Sequence, residues 1–112
     1  LFSTDWFTAQ AAVRDESLLP GQFVLYQNYP NPFNPITKIK YELFQSSQVT
    51  LVIYDMLGKI VKTLVNRKQG PGVKTVNWDA TNNNGNLVSA GVYFYKLKAG
   101  NFIETKEMAL LK

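Results

Sequence analysis

Residues 91–99 read Gly91-Val92-Tyr93-Phe94-Tyr95-Lys96-Leu97-Lys98-Ala99, and they alternate along their whole length. Tyr93, Tyr95 and Leu97 fall on one side, Phe94, Lys96 and Lys98 on the other. Successive side chains of a strand point to opposite faces, so a period of two specifies a β-strand with one face turned to a core. Ala99-Gly100-Asn101 then turns the chain into a partner strand over residues 102–111.

The same pattern recurs upstream. In residues 36–44, Ile39, Tyr41 and Leu43 oppose Lys38, Lys40 and Glu42. Residues 49–54 form a denser strand in which Leu51 and Ile53 share a face. Asp55-Met56-Leu57-Gly58 is a turn, and residues 59–65 form the next strand. Gln69-Gly70-Pro71-Gly72 breaks the chain. Residues 73–79 return as a strand with Val76 and Trp78 on one face. Asn82-Asn83-Asn84-Gly85-Asn86 reads as a polar turn, because Asn and Gly tolerate left-handed backbone. Nearer the start, residues 23–27 are extended. Pro30, Pro32 and Pro35 follow, three prolines in six residues. Each removes a ladder donor, so this segment is expected at an edge or crossing between sheets. About seven short antiparallel strands with turn residues between them specify an all-β sandwich of immunoglobulin or fibronectin type.

That sandwich is assigned to residues 21–112, with Pro20-Gly21 as the boundary. Residues 1–20 read as a linker or the tail of an upstream domain, in which residues 5–13 have room for about two turns of helix, too short to be stable alone. The opening on Leu1, in a polar-aromatic stretch, leads us to expect a fragment or a processed piece of a longer protein. The 112 residues suffice for one core without staples, and the chain has no cysteine, so no disulfide contributes. The first 20 residues carry a net −2 and the remainder +6, from eleven Lys/Arg against five Asp/Glu. A basic excess invites a nucleic-acid reading. The lysines, however, mostly alternate with apolar residues, as on a solvated strand face where lysine discourages edge-to-edge pairing. No nucleic-acid partner is expected.

The chemistry available is narrow. Without histidine, proton transfer near neutral pH falls to tuned carboxylates, lysine or tyrosine. Without cysteine as well, the common zinc sets and nucleophile–histidine arrangements cannot be built. Asp55 and Asp79 are the conceivable carboxylate pair for glycoside hydrolysis, but both sit beside turns, where Asp commonly bonds local backbone. Aligning Gly85 with the glycine of a calcium loop puts Asn82 and Asn84 at ligand positions. Ala80 then stands where the first Asp belongs, and Asp79 is one place out of register, which favours a plain turn. Trp78, Tyr93 and Tyr95 have core parity rather than the exposure that sugar stacking needs. We therefore expect no enzyme, no cofactor, no metal and no small-molecule substrate.

The order of motifs adds a purpose. Leu25-Tyr26-Gln27-Asn28-Tyr29-Pro30-Asn31-Pro32-Phe33-Asn34-Pro35, Ile39-Lys40-Tyr41-Glu42-Leu43 and Val52-Ile53-Tyr54-Asp55-Met56-Leu57-Gly58-Lys59 are followed by Val76-Asn77-Trp78-Asp79. Ser89-Ala90-Gly91-Val92-Tyr93-Phe94-Tyr95-Lys96-Leu97 and Lys106-Glu107-Met108-Ala109-Leu110-Leu111-Lys112 complete the series. Over about residues 19–112 this succession resembles the C-terminal sorting domain of the type IX secretion system. It is also similar to the immunoglobulin-like domain of the flagellar hook-capping protein. Ala80 and Ala90 depart mildly from the pattern, where the family often has Gly, or Gly or Ser.

The resemblance implies a terminal signal domain of a large exported protein of a Gram-negative bacterium, destined for the cell surface or the exterior. Its partners would be an outer-membrane translocon, a covalently linked upstream cargo and, in some members, a sortase that removes the domain. The matching signature positions are Pro30, Asn31 and Pro32; Asp55, Gly58 and Lys59; Gly91 and Tyr93; and Lys106 and Lys112. Each has a structural role too: the prolines end a strand, Asp55 and Gly58 make a turn, and Gly91 allows close backbone approach beside Tyr93. A docking strand would be residues 105–112, and a cut would fall before Phe23. The alternative is an accessory structural or carbohydrate-binding domain of an extracellular enzyme.

Overall fold

The computed structural model of the protein describes residues 23–111. The expected tail over residues 1–20, its short helix, the boundary at Pro20-Gly21, the cut before Phe23 and the position Lys112 lie outside these residues. Seven strands follow in chain order: β1 (Phe23–Leu25), β2 (Thr37–Leu43), β3 (Ser47–Tyr54), β4 (Ile60–Gln69), β5 (Gly72–Trp78), β6 (Gly91–Ala99) and β7 (Phe102–Leu110). Every pairing is antiparallel, in a three-stranded sheet ordered β1-β2-β5 and a four-stranded sheet ordered β4-β3-β6-β7. The expected immunoglobulin-like sandwich is the observed fold.

The alternation in sequence becomes the division between core and solvent. Ile39, Tyr41 and Leu43 of β2 and Val49, Leu51 and Ile53 of β3 are buried. Tyr93, Tyr95 and Leu97 of β6 and Met108 and Leu110 of β7 join them, with Trp78 closing the end of β5. Each such aliphatic or aromatic side chain removed from water contributes about 1.5–3 kcal/mol, offset by ordering of the chain. Phe33, Trp78 and Tyr93 form a line of rings with centroids 5.7 and 5.4 Å apart, in tilted and edge-on contact.

The largest departure from the sequence reading is in β4. β4 continues four residues past Val65, because Asn66, Arg67, Lys68 and Gln69 still pair with β3 although the apolar pattern has stopped. Hydrogen bonding, not burial, maintains that half. β3 and β4 also slip register at Leu51/Val52 and at Ile53/Tyr54, which bends the edge strand.

The pairings sort the loops into two ends. Leu43 lies across from Gly72, Ser47 from Gln69 and Val49 from Ala99. The β2–β3 connection, the Gly70-Pro71 turn and the Gly100-Asn101 turn therefore share one end, the hairpin end. Phe23 enters at that end and packs edge-on against Phe102, 6.1 Å away. The long connections 26–36, 55–59 and 79–90 gather at the opposite end, the crossover end, where β7 finishes.

Candidate functional site

The crossover end is assembled around the proline segment. Tyr29 pairs with Lys38 in the three-stranded sheet, while Phe33 forms a parallel bridge to Leu110 in the other. The segment thus crosses between the sheets, as three missing donors require. Two of its side chains and its backbone are applied to the outer edge of β7. The Gln27 side-chain amide donates to the Glu107 carbonyl at 2.8 Å. The Ala109 N–H donates to Asn31 Oδ1 at 2.9 Å. The Phe33 N–H donates to the Ala109 carbonyl at 3.0 Å, and the Leu111 N–H to the Phe33 carbonyl at 2.8 Å. Asn31 stands in for a strand's backbone, and Phe33, buried on Trp78, anchors the arrangement.

A buried polar network holds the start of the same segment. The Tyr95 hydroxyl accepts from the Asn28 N–H and donates to the Tyr26 carbonyl, both at 2.8 Å. Asn28 Nδ2 donates to Thr37 Oγ1 at 3.0 Å, and the Thr37 hydroxyl donates to the Pro30 carbonyl at 2.8 Å. Burial of the phenol pushes the Tyr95 pKa up to about 12. Burial also raises Tyr93, aided by the charge of Asp55, and its hydroxyl donates to the Ser89 carbonyl at 2.6 Å. Burial raises Tyr41 as well, against the opposing effects of its bond to Gln69 Oε1 and the charge of Arg67.

Asp55 and Asn82 build the same turn twice. The Asp55 N–H donates to the Lys59 carbonyl, and Asp55 Oδ1 accepts from the Leu57 and Lys59 N–H groups, all at 2.9 Å. The Asn82 N–H donates to the Asn86 carbonyl, and Asn82 Oδ1 accepts from Asn84 and Asn86 at 2.9 and 3.0 Å. Gly58 and Gly85 donate back to the first residue of each turn, with φ of +83° and +84°. The turns differ in surroundings. Asn83 lies on the edge of β4, donating to the Val61 carbonyl and accepting from the Thr63 N–H. Met56 and Leu57, the matching pair, project into solvent.

Asp79 is also a turn former: its Oδ1 accepts from the Thr81 hydroxyl at 2.5 Å and the Thr81 N–H at 3.2 Å. The hydroxyl bond chiefly holds its pKa below the ordinary value. Both candidate carboxylates thus bond local backbone, as expected. Among the described residues no three His, Cys, Asp or Glu side chains come together as metal ligands.

Most signature positions meet at the crossover end. Tyr54 lies across from Phe94, which places Asp55 beside Tyr93; Tyr93 faces Met108, and Gly91 faces Leu110, next to the Asn31 bond. Gly58 and Lys59 complete the Asp55 turn, and Pro30 and Pro32 flank Asn31. Lys106 sits farther along β7, opposite Tyr95, paired with Glu104 at 3.6 Å. Two expectations need correction. Gly91 does not serve a close approach, since a Cβ there would meet nothing within 4 Å; its φ of +152° is what favours glycine. The expected docking strand, residues 105–112, is not free along its edge either, since Glu107, Ala109 and Leu111 already bond to Gln27, Asn31 and Phe33.

The sequence profile described as the FlgD Ig-like domain matches residues 36–102. The chain belongs to this family. The matched residues run from the connection before β2 to the start of β7, so the proline segment and nearly all of β7 lie outside the match. Solved structures carry a similar Ig-like fold. PorZ of Porphyromonas gingivalis, an essential bacterial surface component of the type-IX secretion system, superposes with a TM-score of 0.55 at 22% identity, covering 79% of this chain and 11% of PorZ. Dimeric latent PorU from the same organism gives 0.67 at 19%, covering 85% and 10%. FLGD from P. aeruginosa gives 0.52 at 22%, covering 83% and 74%. At these identities the likeness is one of fold, and this Ig-like domain spans about a tenth of PorZ and of PorU. No curated protein matches it.

Sequence reasoning missed Gln27, Asn28, Thr37 and Asn83. Thr37 alone carried a signal, a hydroxyl at the core parity of Ile39, Tyr41 and Leu43, which needs a buried partner.

Proposed function

We propose that this Ig-like domain is a non-catalytic C-terminal signal that directs a larger protein through the outer membrane by the type IX secretion system. The observation that carries the reading is the Asn31–Ala109 bond. It joins the first and last motifs of the sorting-domain resemblance, 78 residues apart, into one surface at the crossover end. The fold shared with the surface component PorZ supports it. On this reading the partners are the translocon, the upstream cargo and, in members that are cut, a sortase. The working location is the cell surface or beyond. The domain contributes shape and edges rather than reactive groups.

Fusing residues 19–112 to a carrier in a host that has this secretion system tests the reading. The carrier is expected outside the cell, and its retention in the periplasm overturns the proposal. A second reading, a glycan-binding accessory domain, is favoured by one feature. The outer face of the four-stranded sheet holds a groove of about 330 Å³ lined by Tyr54, Phe94, Lys96 and Thr105. It predicts polysaccharide affinity that Phe94→Ala abolishes, and a flat titration removes it.

A further inference from the structure

A sandwich has four strand edges, and each exposes backbone groups able to capture another strand. Three are visibly managed here. β1 is three residues long. β7 carries Gln27, Asn31 and Phe33 along the half nearest the crossover end. β4 is twice irregular and capped by Asn83.

The fourth edge, β5, is different. Lys38 and Lys40 of β2 direct backbone groups toward Tyr29 and Tyr26. In an antiparallel ladder the alternate residues therefore face β5. Thr37, Ile39, Tyr41 and Leu43 pair with Trp78, Val76, Lys74 and Gly72. This leaves the N–H and C=O groups of Val73, Thr75 and Asn77 pointing outward, and among the described residues none of them has a protein partner. The strand is regular over this stretch, and Val73 is 59% exposed.

The seam beside this edge is cationic. Lys74 has inward parity, opposite Tyr41, and Arg67 of β4 has inward parity, opposite Val49. Arg67 reaches the Tyr41 hydroxyl with its charge from the other sheet. The described residues contain one salt bridge, Lys106–Glu104, so neither cation has a carboxylate partner among them. Inward charge on an edge strand discourages apolar strands and copies of the same chain, which would bring a second Lys74 to the seam.

We propose that β5 is a strand-addition site for an extended acidic segment of a partner protein. The segment would bond to Val73, Thr75 and Asn77 and place a carboxylate between Lys74 and Arg67. This site is separate from the crossover end and does not depend on the export reading.

The test is a titration of the full chain, followed through its backbone amide NMR signals, with two blocked peptides: alternating Thr-Glu and alternating Thr-Lys. The Thr-Glu peptide is expected to shift Val73, Thr75 and Asn77, and to bind at least about tenfold more tightly than Thr-Lys. Lys74→Glu should reverse that preference. Thr75→Pro, which removes an outward N–H at a position an edge strand tolerates, should abolish the shifts. Equal response to both peptides, shifts spread over the lysines of other faces, or an unchanged preference in Lys74→Glu overturns the proposal.

Discussion

Asn31 and Tyr95 do for this fold what no residue near them in sequence could do. Asn31 supplies an acceptor to a strand whose outer edge would otherwise face water, and a typical bond of this kind contributes about 1 kcal/mol. Asn31→Ala should therefore speed hydrogen exchange at the Ala109 amide while leaving Leu51 and Leu97 protected. Unchanged protection at Ala109 would show that the bond contributes nothing. Tyr95 ties the proline segment to the four-stranded sheet through one hydroxyl. Tyr95→Phe leaves the buried Asn28 N–H without its acceptor, at an expected cost of about 1–3 kcal/mol in denaturant unfolding. The same phenol imposes a pH limit. Its folded pKa, about 12, lies above the ordinary tyrosine value of about 10, so the neutral form is the one the fold favours. That stability is fully present below pH 10 and is lost as pH rises toward 12, with Tyr41 and Tyr93 acting in the same direction. Unfolding midpoints should fall over that interval, and less steeply in Tyr95→Phe.

Among the elements, the twin turns allow a controlled comparison. Gly58 and Gly85 have the same φ and the same bonds, so Ala at either position should cost about 1 kcal/mol from backbone strain alone. A much larger loss at Gly85 would mean that the contact of Asn83 with β4 depends on the turn's shape. The turns also mark what a sequence can disclose. Asp55-to-Gly58 and Asn82-to-Gly85 were legible because an Asx side chain and a left-handed glycine act within five residues. The strand cores were legible for a similar reason, since a period of two is written into every few residues. The second half of β4 was not, because Asn66 to Gln69 pair without burying anything apolar. Nor was the occupied edge of β7: a hydrogen bond between residues 31 and 109 leaves no mark on the residues near either.

For the molecule as a whole, Phe33 is where the connection between sheets becomes part of the core. Its ring is buried against Trp78 while its backbone bonds to the end of β7. Phe33→Ala should cost about 3–5 kcal/mol. It should also release the Ala109 and Leu111 amides in exchange measurements before the rest of the sheet opens. Simultaneous release throughout the sheet would argue against this order. The chain enters at Phe23 beside the hairpin end and reaches Leu111 at the crossover end, so the two ends of the described chain leave from opposite poles. Tension applied between them runs parallel to β1 and β7. The ladder bonds lie across that direction and are loaded together in shear, rather than being peeled apart one at a time. Pulled from its two ends, the domain should yield at higher force than when β6 and β7 are drawn apart from their shared turn.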